Sequence, residues 1–212
     1  MRIDIFSDTV CPWCYIGKRH LEAALAKSES GDADIHWHAF QLNPDLPPEG
    51  RDRREYLDAK FGGPEAAKAI YAHIREAGKN TGIDFQFDKI TRSPNTFNSH
   101  RLIGLAEAKG KGEAMVETLF RAYFLEGRDI GDDAMLAELA HGAGIEEEMS
   151  SWLAGENERN KVLNDLHAGR EMGITGVPFF ILDNRYTLSG AQPVEIFEQA
   201  LRAAQTKARS IN

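Results

Sequence analysis

The chain has 212 residues, of which 42% are hydrophobic and 27% charged, a balance that is ordinary for a globular protein with a well-buried core. Its formal net charge of −8 disfavours nucleic acid as a partner, because an acidic surface repels phosphate backbones. No apolar run reaches membrane-spanning length and the first residues lack the apolar centre of a secretory signal, so we expect a cytoplasmic protein that does not bind membranes.

The first predicted elements form a β–α–β unit. Residues 2–6 alternate polar and apolar side chains, which predicts a short strand. After a polar break, Pro12 suits the first turn of a helix, where its missing N–H costs nothing. Ile16, Leu21 and Leu25 continue that helix at helical spacing, and residues 35–40 predict a second strand.

Cys11 and Cys14 are the only cysteines in the sequence, and they fall where the first strand meets the first helix. A structural disulfide across so short a loop would stabilise little, because the entropy removed from the unfolded chain grows with loop length. Free N–H groups and the helix dipole favour a thiolate at a helix start, and the spacing brings both sulfurs onto one face. We therefore predict a redox-active pair, in which Cys11 attacks a disulfide and Cys14 releases the product.

Other interpretations of the polar residues near this pair are less well supported. A structural zinc ion is coordinated by four ligands, and the sequence has no second cysteine pair, so no metal site is expected. His36 and His38 alternate with apolar residues, which favours a polar strand face over a metal pair. Asp8 is close enough in sequence to influence the cysteines, although a capping or solvated role is equally open.

Residues 43–170 are predicted to be a mainly α-helical insertion, interrupted by glycine-rich breaks. Asn95 and Thr96 are typical of a helix N-cap. The length of the insertion suggests a lid over the Cys11 cleft. The predicted helices run from Arg53 to Phe61, Pro64 to Lys79, Phe97 to Lys109, Glu113 to Glu126, Asp132 to His141 and Glu158 to Met172.

The C-terminal part predicts a β–β–α unit. Residues 177–182 are apolar and β-prone, residues 183–184 signal a turn, and residues 186–188 can return as a hairpin partner. Pro193 then opens a final helix. The simplest α/β architecture is a βαβ…ββα core of residues 1–42 and 171–212, split by the helical insertion of residues 43–170.

The segment from Asp8 to Gly17, with the motif Cys-Pro-Trp-Cys, resembles the active-site segment of the DsbA-like thioredoxin-fold family in its FrnE-like branch. Three further segments match in the family's order: residues 93–101, 176–180 and 189–192. The resemblance spans nearly the whole chain. It implies a thioredoxin-like core split by a helical insertion, and a cis peptide bond between Val177 and Pro178.

The resemblance also implies a thiol–disulfide oxidoreductase, a protein disulfide oxidoreductase or isomerase, acting on a protein or a small-molecule thiol or disulfide. No bound cofactor is expected, glutathione is a candidate redox partner, and a homodimer is left open. Trp13 is expected to be exposed. The candidate catalytic residues are Cys11 and Cys14, and the candidate substrate-binding residues are Pro12, Trp13, Val177 and Pro178.

The alternative is a glutathione-dependent isomerase or transferase, of the 2-hydroxychromene-2-carboxylate isomerase or kappa-class type. These relatives share the split fold and use a serine near the position of the first cysteine. The presence of both Cys11 and Cys14 favours dithiol chemistry. A non-enzymatic binding module is a third interpretation, since fold alone does not fix function.

Overall fold

One mixed sheet brings together strands from the two ends of the chain. The computed structural model describes residues 1–28 and 33–208. In chain order the elements are β1 Arg2–Ser7, α1 Pro12–Lys27, β2 Asp34–Ala39, β3 Arg51–Asp52, α2 Arg53–Phe61, α3 Pro64–Lys79, β4 Arg92–Ser93, α4 Phe97–Ala108, α5 Gly112–Arg121, α6 Asp133–Gly142, α7 Met149–Ala154, α8 Arg159–Glu171, β5 Phe179–Leu182, β6 Tyr186–Ser189 and α9 Val194–Ala208.

The sheet has the strand order β2-β1-β5-β6, with β1 parallel to β2 and antiparallel to β5. Ile5 on β1 lies opposite Trp37 on one side and Phe180 on the other. The β5–β6 hairpin turns through Asp183 and Asn184, whose positive φ angles of 48° and 54° these two residue types tolerate. The predicted α/β fold with its βαβ and ββα units is confirmed.

Helices α1 and α9 pack together beside the sheet, where Phe197 of α9 lies edge-on to Phe180 with ring centroids 4.8 Å apart. On its other side α1 meets the intervening helices, and Tyr15 stacks on Phe120 at 4.9 Å. Residues of the sheet, of α1 and of these helices belong to one hydrophobic cluster. The division into a core of residues 1–42 and 171–212 and an insertion of residues 43–170 stays a prediction.

Three local features differ from the sequence prediction. The helix predicted from Glu113 to Glu126 ends at Arg121 and continues as a π-helical turn over Ala122–Glu126. The six residues of α7 are too few to show a helical period, so this helix was missed. The two-residue strands β3 and β4 pair antiparallel and were also missed. No helix in residues 1–28 and 33–208 is long and apolar enough to cross a membrane.

Candidate functional site

Cys11 lies at the N-cap of α1, immediately after the loop that leaves β1. Its extended backbone, with φ −93° and ψ 111°, allows its amide to donate to the Asp8 carbonyl at 2.9 Å. Its own carbonyl accepts the Cys14 amide at 3.0 Å, and Pro12 occupies the first helical position. The Cys11 sulfur therefore lies at the positive end of the helix dipole of α1.

Cys14 lies one turn further into α1 and is 1% exposed, whereas Cys11 is 4% exposed and lines a cavity. Both side chains are free thiols. Burial raises the pKa of the Cys14 thiol well above its usual range, and the neighbouring Cys11 raises it further. The Ser7 side chain and the Asp8 backbone oppose this rise in the pKa of Cys14. The geometry thus places Cys11 at the cavity and keeps Cys14 buried behind it as the sulfur with the raised pKa.

The loop before β5 meets the Cys11 sulfur. The Cys11 thiol donates to the Val177 carbonyl at 3.5 Å, and the Val177–Pro178 peptide bond is cis. The Pro178 carbonyl accepts from the Gly190 amide at 2.8 Å, which ties this loop to the residue after β6. The C-terminal unit and the N-terminal cysteine motif therefore form one site.

A cavity of about 300 Å³ opens beside Cys11. Its floor comes from the cysteine loop and from Gly176 and Val177, and its walls come from α2, α3 and the segment around β4. The side chains and backbone that line it belong to Val10, Cys11, Pro12, Trp13, Leu42, Asn43, Arg53, Tyr56, Lys60, Phe61, Ile70, Tyr71, Ile74, Ser93, Pro94, Tyr123, Gly176 and Val177.

Asp8 is fully buried, so the solvated role left open for it is wrong. Its Oδ2 accepts the Leu42 amide at 2.8 Å, which anchors the chain just after β2. Its Oδ1 lies 3.5 Å from His100 Nε2 and has no hydrogen-bond partner among the described residues. His100 Nε2 lies 3.0 Å from the Phe40 carbonyl. Asp8 thus supports the loop beneath Cys11.

Trp13 is half-buried rather than exposed, because it packs on the hydrophobic cluster and lies 5.8 Å from the His73 ring. Asn95 takes the predicted capping role at the start of α4, where its Oδ1 accepts the Phe97 amide at 3.0 Å. Thr96 is the N-cap residue but its side chain makes no capping hydrogen bond. Of these residues, Trp13 lines the cavity beside Cys11.

The strand histidines divide into two environments. His36 is partly exposed beside Asp34, as a polar strand face predicts. His38 instead lies partly buried between Asp4 and Asp165, at 2.8 Å and 2.9 Å from their oxygens. In residues 1–28 and 33–208, no group of three or more histidine, cysteine, aspartate or glutamate side chains is placed to hold a metal ion.

Sequence reasoning missed the cavity residues that come from the helical region. Arg53, Lys60 and Tyr71 lie on α2 and α3, which periodicity identified as helices without indicating which residues face the cysteines. Tyr123 lies in the π-helical turn, which the sequence does not signal. Ser93 belongs to a segment that carried the family resemblance, so its position offered the one usable hint.

Comparison with known proteins was consistent with this geometry. The family described as the DSBA-like thioredoxin domain matches residues 2–202. A probable DsbA oxidoreductase from Streptomyces coelicolor is 36% identical in sequence, and its structure superposes on 97% of this chain and 90% of its own with a TM-score of 0.88.

Two further solved structures share the fold at lower identity. A 2-hydroxychromene-2-carboxylate isomerase is 16% identical and superposes over 100% of both chains with a TM-score of 0.74. The cytosolic disulfide reductase DsbM from Pseudomonas aeruginosa, solved with GSH, is 22% identical; it covers 99% of this chain and 100% of its own with a TM-score of 0.67. At these identities the likeness extends to the fold alone.

Proposed function

The chain belongs to the DSBA-like thioredoxin domain family, and from that premise we propose that it is a thiol–disulfide oxidoreductase working through Cys11 and Cys14. One observation carries the proposal: Cys11 stands at the N-terminus of α1 on the wall of a cavity, with Cys14 buried behind it. This arrangement presents one sulfur to a substrate and keeps the second within reach of the first.

In the proposed reaction, the Cys11 thiolate attacks one sulfur of a substrate disulfide. The substrate S–S bond breaks, a mixed disulfide forms, and the leaving sulfur takes up a proton. The raised pKa of Cys14 keeps it a thiol until Cys11 no longer carries charge. Cys14 then loses its proton, attacks the Cys11 sulfur and releases the second half of the substrate as a thiol. The same steps in reverse oxidise a dithiol.

Val177 and Pro178 are the proposed substrate-binding residues beyond the motif. The Val177 carbonyl contacts the Cys11 sulfur, so a substrate held in a mixed disulfide must pass beside this backbone. Pro12 and Trp13 line the same cavity. No bound cofactor is part of the proposal; glutathione is the proposed redox partner, and DsbM is a relative in fold whose structure was solved with GSH. A cytoplasmic location is part of the proposal.

Replacement of Cys14 by Ser tests the two assigned roles. The variant should accumulate a mixed disulfide at Cys11, because the group that releases the substrate is gone. In the reduced wild-type protein, iodoacetamide should label Cys11 first, as mass spectrometry of the peptides will show. Cys11→Ser is the matched control and should form no mixed disulfide. Earlier labelling of Cys14 would contradict the assignment.

A redox titration of the pair against glutathione would then establish whether it acts mainly as reductant or oxidant. The alternative, a glutathione-dependent isomerase or transferase, draws support from the likeness in fold to the 2-hydroxychromene-2-carboxylate isomerase. That chemistry needs no second thiol. Retention of turnover by the Cys14→Ser variant would therefore favour the alternative over dithiol exchange.

A further inference from the structure

The charged side chains that line the cavity beside Cys11, among the described residues, are cations. Arg53 and Lys60 line it, and no aspartate or glutamate among the described residues does. In the part of the chain that the structure describes, neither cation forms an ion pair; the hydrogen-bond acceptors of both are phenol or amide oxygens. These are unusual surroundings for two cations in a protein whose net charge is −8.

Arg53 is held in place by neutral groups. Its Nη1 donates to the Tyr123 hydroxyl at 3.0 Å and its Nη2 to the Tyr71 hydroxyl at 2.8 Å. Burial raises the pKa of Tyr123, so that phenol stays protonated and leaves the charge of Arg53 in place. The guanidinium is therefore fixed at the cavity wall with its full charge, and a planar fork of this kind suits a carboxylate.

Lys60 and Ser93 add to the same wall. The Lys60 ammonium donates to Tyr56 Oη at 2.6 Å and to Asn43 Oδ1 at 3.3 Å, both neutral acceptors. The Ser93 residue is 4% exposed, and its hydroxyl has no hydrogen-bond partner among the described residues. A buried hydroxyl without a partner costs free energy, which a polar ligand in this cavity would recover.

We propose that Arg53 and Lys60, together with Ser93, bind a carboxylate of a small disulfide while Cys11 attacks its sulfur. This inference rests on the proposed function and adds the substrate class to it. A cavity of about 300 Å³ accommodates a small molecule or one half of a small disulfide. The attack breaks the substrate S–S bond, joins one half to Cys11 and releases the other half as a carboxylate-bearing thiol.

Three disulfides of similar size and different charge test the proposal: anionic 3,3′-dithiodipropionate, neutral 2-hydroxyethyl disulfide and cationic cystamine. The rate at which each oxidises the reduced protein is divided by its rate with 2-mercaptoethanol, which removes differences in intrinsic reactivity. The normalised rate should be highest for the anion, by about tenfold over the neutral disulfide, since a hydrogen bond to a charged group is worth at least that factor.

Variants then assign the preference to its residues. Lys60→Gln and Arg53→Gln should each lower the ratio of anionic to neutral rates severalfold, while Lys60→Arg should keep it. Lys68→Gln is the matched control, because Lys68 is an exposed lysine of α3 that does not line this cavity. If Arg53→Gln fails to fold, the comparison of Lys60→Gln with Lys60→Arg still tests whether the charge at this position sets the preference.

The outcomes separate the inference from the function on which it rests. Equal normalised rates for the anionic and neutral disulfides in the wild-type protein would overturn the carboxylate subsite and leave the oxidoreductase proposal standing. A ratio that falls as far in Lys68→Gln as in Lys60→Gln would also overturn the subsite. Failure of all three disulfides to react at Cys11 would overturn the proposed function itself.

Discussion

His38 lies between two carboxylates that come from different elements. Its Nε2 is 2.8 Å from Asp4 of β1 and its Nδ1 is 2.9 Å from Asp165 of α8. Burial opposes protonation of His38, but the hydrogen bonds to Asp165 and Asp4 outweigh it and raise the pKa of the imidazole. Burial likewise works against the ionised Asp4 and Asp165. Arg2 and His38 nevertheless lower the pKa of Asp4, and His38 and Lys161 lower that of Asp165.

These shifts predict how stability depends on pH. Because the folded protein holds His38 at a raised pKa, its contribution is complete below the ordinary value of 6.5 and is lost as the pH rises through the folded value. The lowered pKa values of the aspartates have the opposite effect, so their contribution fades as the pH falls below 3.8. The network should stabilise the fold most between these limits, which urea unfolding across the pH range will measure.

His38→Gln should remove the loss of stability on the alkaline side, since glutamine does not titrate. Each unit by which the folded state raises the pKa of His38 corresponds to about 1.4 kcal/mol. His167→Gln is the matched control, because His167 lies on α8 with a side chain that is 71% exposed. An alkaline slope that persists in His38→Gln would contradict this account.

At this scale the sequence predicts residues whose chemistry depends on near neighbours. The Cys11 and Cys14 pair is readable because both residues and the helix start lie within one short segment. The burial of Asp8 could not be predicted in this way, because it depends on Leu42 and His100, which the fold brings in from elsewhere. The position of Arg53 and Lys60 at the cavity could not be predicted for the same reason.

Gly17 allows helix α1 to approach the loop that contacts Cys11. A Cβ at this position would lie 3.0 Å from Pro178 Cγ and 3.1 Å from Phe180 Cζ, closer than side-chain carbons normally pack. Phe180 belongs to the hydrophobic cluster and Pro178 is buried immediately before β5, so neither can move freely. The close contact between α1 and β5 therefore depends on the absence of a side chain here.

Gly17→Ala should destabilise the protein by about 1–3 kcal/mol, the usual cost of an extra methyl group in a packed site. Gly142→Ala is the matched control, because a Cβ added to Gly142 at the end of α6 would meet no atom of another element within 4 Å. It should change the free energy of unfolding by no more than about 0.5 kcal/mol. Urea denaturation of both variants measures these free energies of unfolding. Equal stabilities of Gly17→Ala and Gly142→Ala would show that the contact between α1 and β5 is loosely packed.

Elements were predictable where they are long enough to show a period. The bounds predicted for α2 and α3 agree with the structure, and those of α4, α6 and α8 agree to within one residue at each end. The six-residue α7 begins at a Glu148 side chain that caps its first amides, a signal too local to stand out. The π-helical turn after α5 closes at Gly127, where a Cβ would meet the Lys89 carbonyl at 2.5 Å. The contact between Gly127 and Lys89 is a tertiary one, so it produces no hydrophobic periodicity in the sequence.

In the molecule as a whole, helices α2 and α3 cover the cysteine motif. Ile70 and Ile74 of α3 line the cavity together with Val177 and Trp13, and the Trp13 ring lies 5.8 Å from the ring of His73 on the same helix. Cys11 remains only 4% exposed behind these walls. A disulfide fixed within a folded protein must pass α2 and α3 before it reaches the Cys11 sulfur. These helices are the structural counterpart of the lid predicted from the sequence.

The cover predicts discrimination by size. Insulin should be reduced at least about tenfold more slowly than 2-hydroxyethyl disulfide, because each 1.4 kcal/mol spent on opening the cavity costs a factor of about ten in rate. Turbidity of the insulin B chain and consumption of the small disulfide measure the two rates. Ile70→Ala, at a rim residue that is 40% exposed, should narrow the difference by widening the entrance. Leu163→Ala, at a 44% exposed residue of α8 that does not line the cavity, should leave it unchanged. If wild-type protein reduced insulin as fast as the small disulfide, the helices over Cys11 would not act as a barrier.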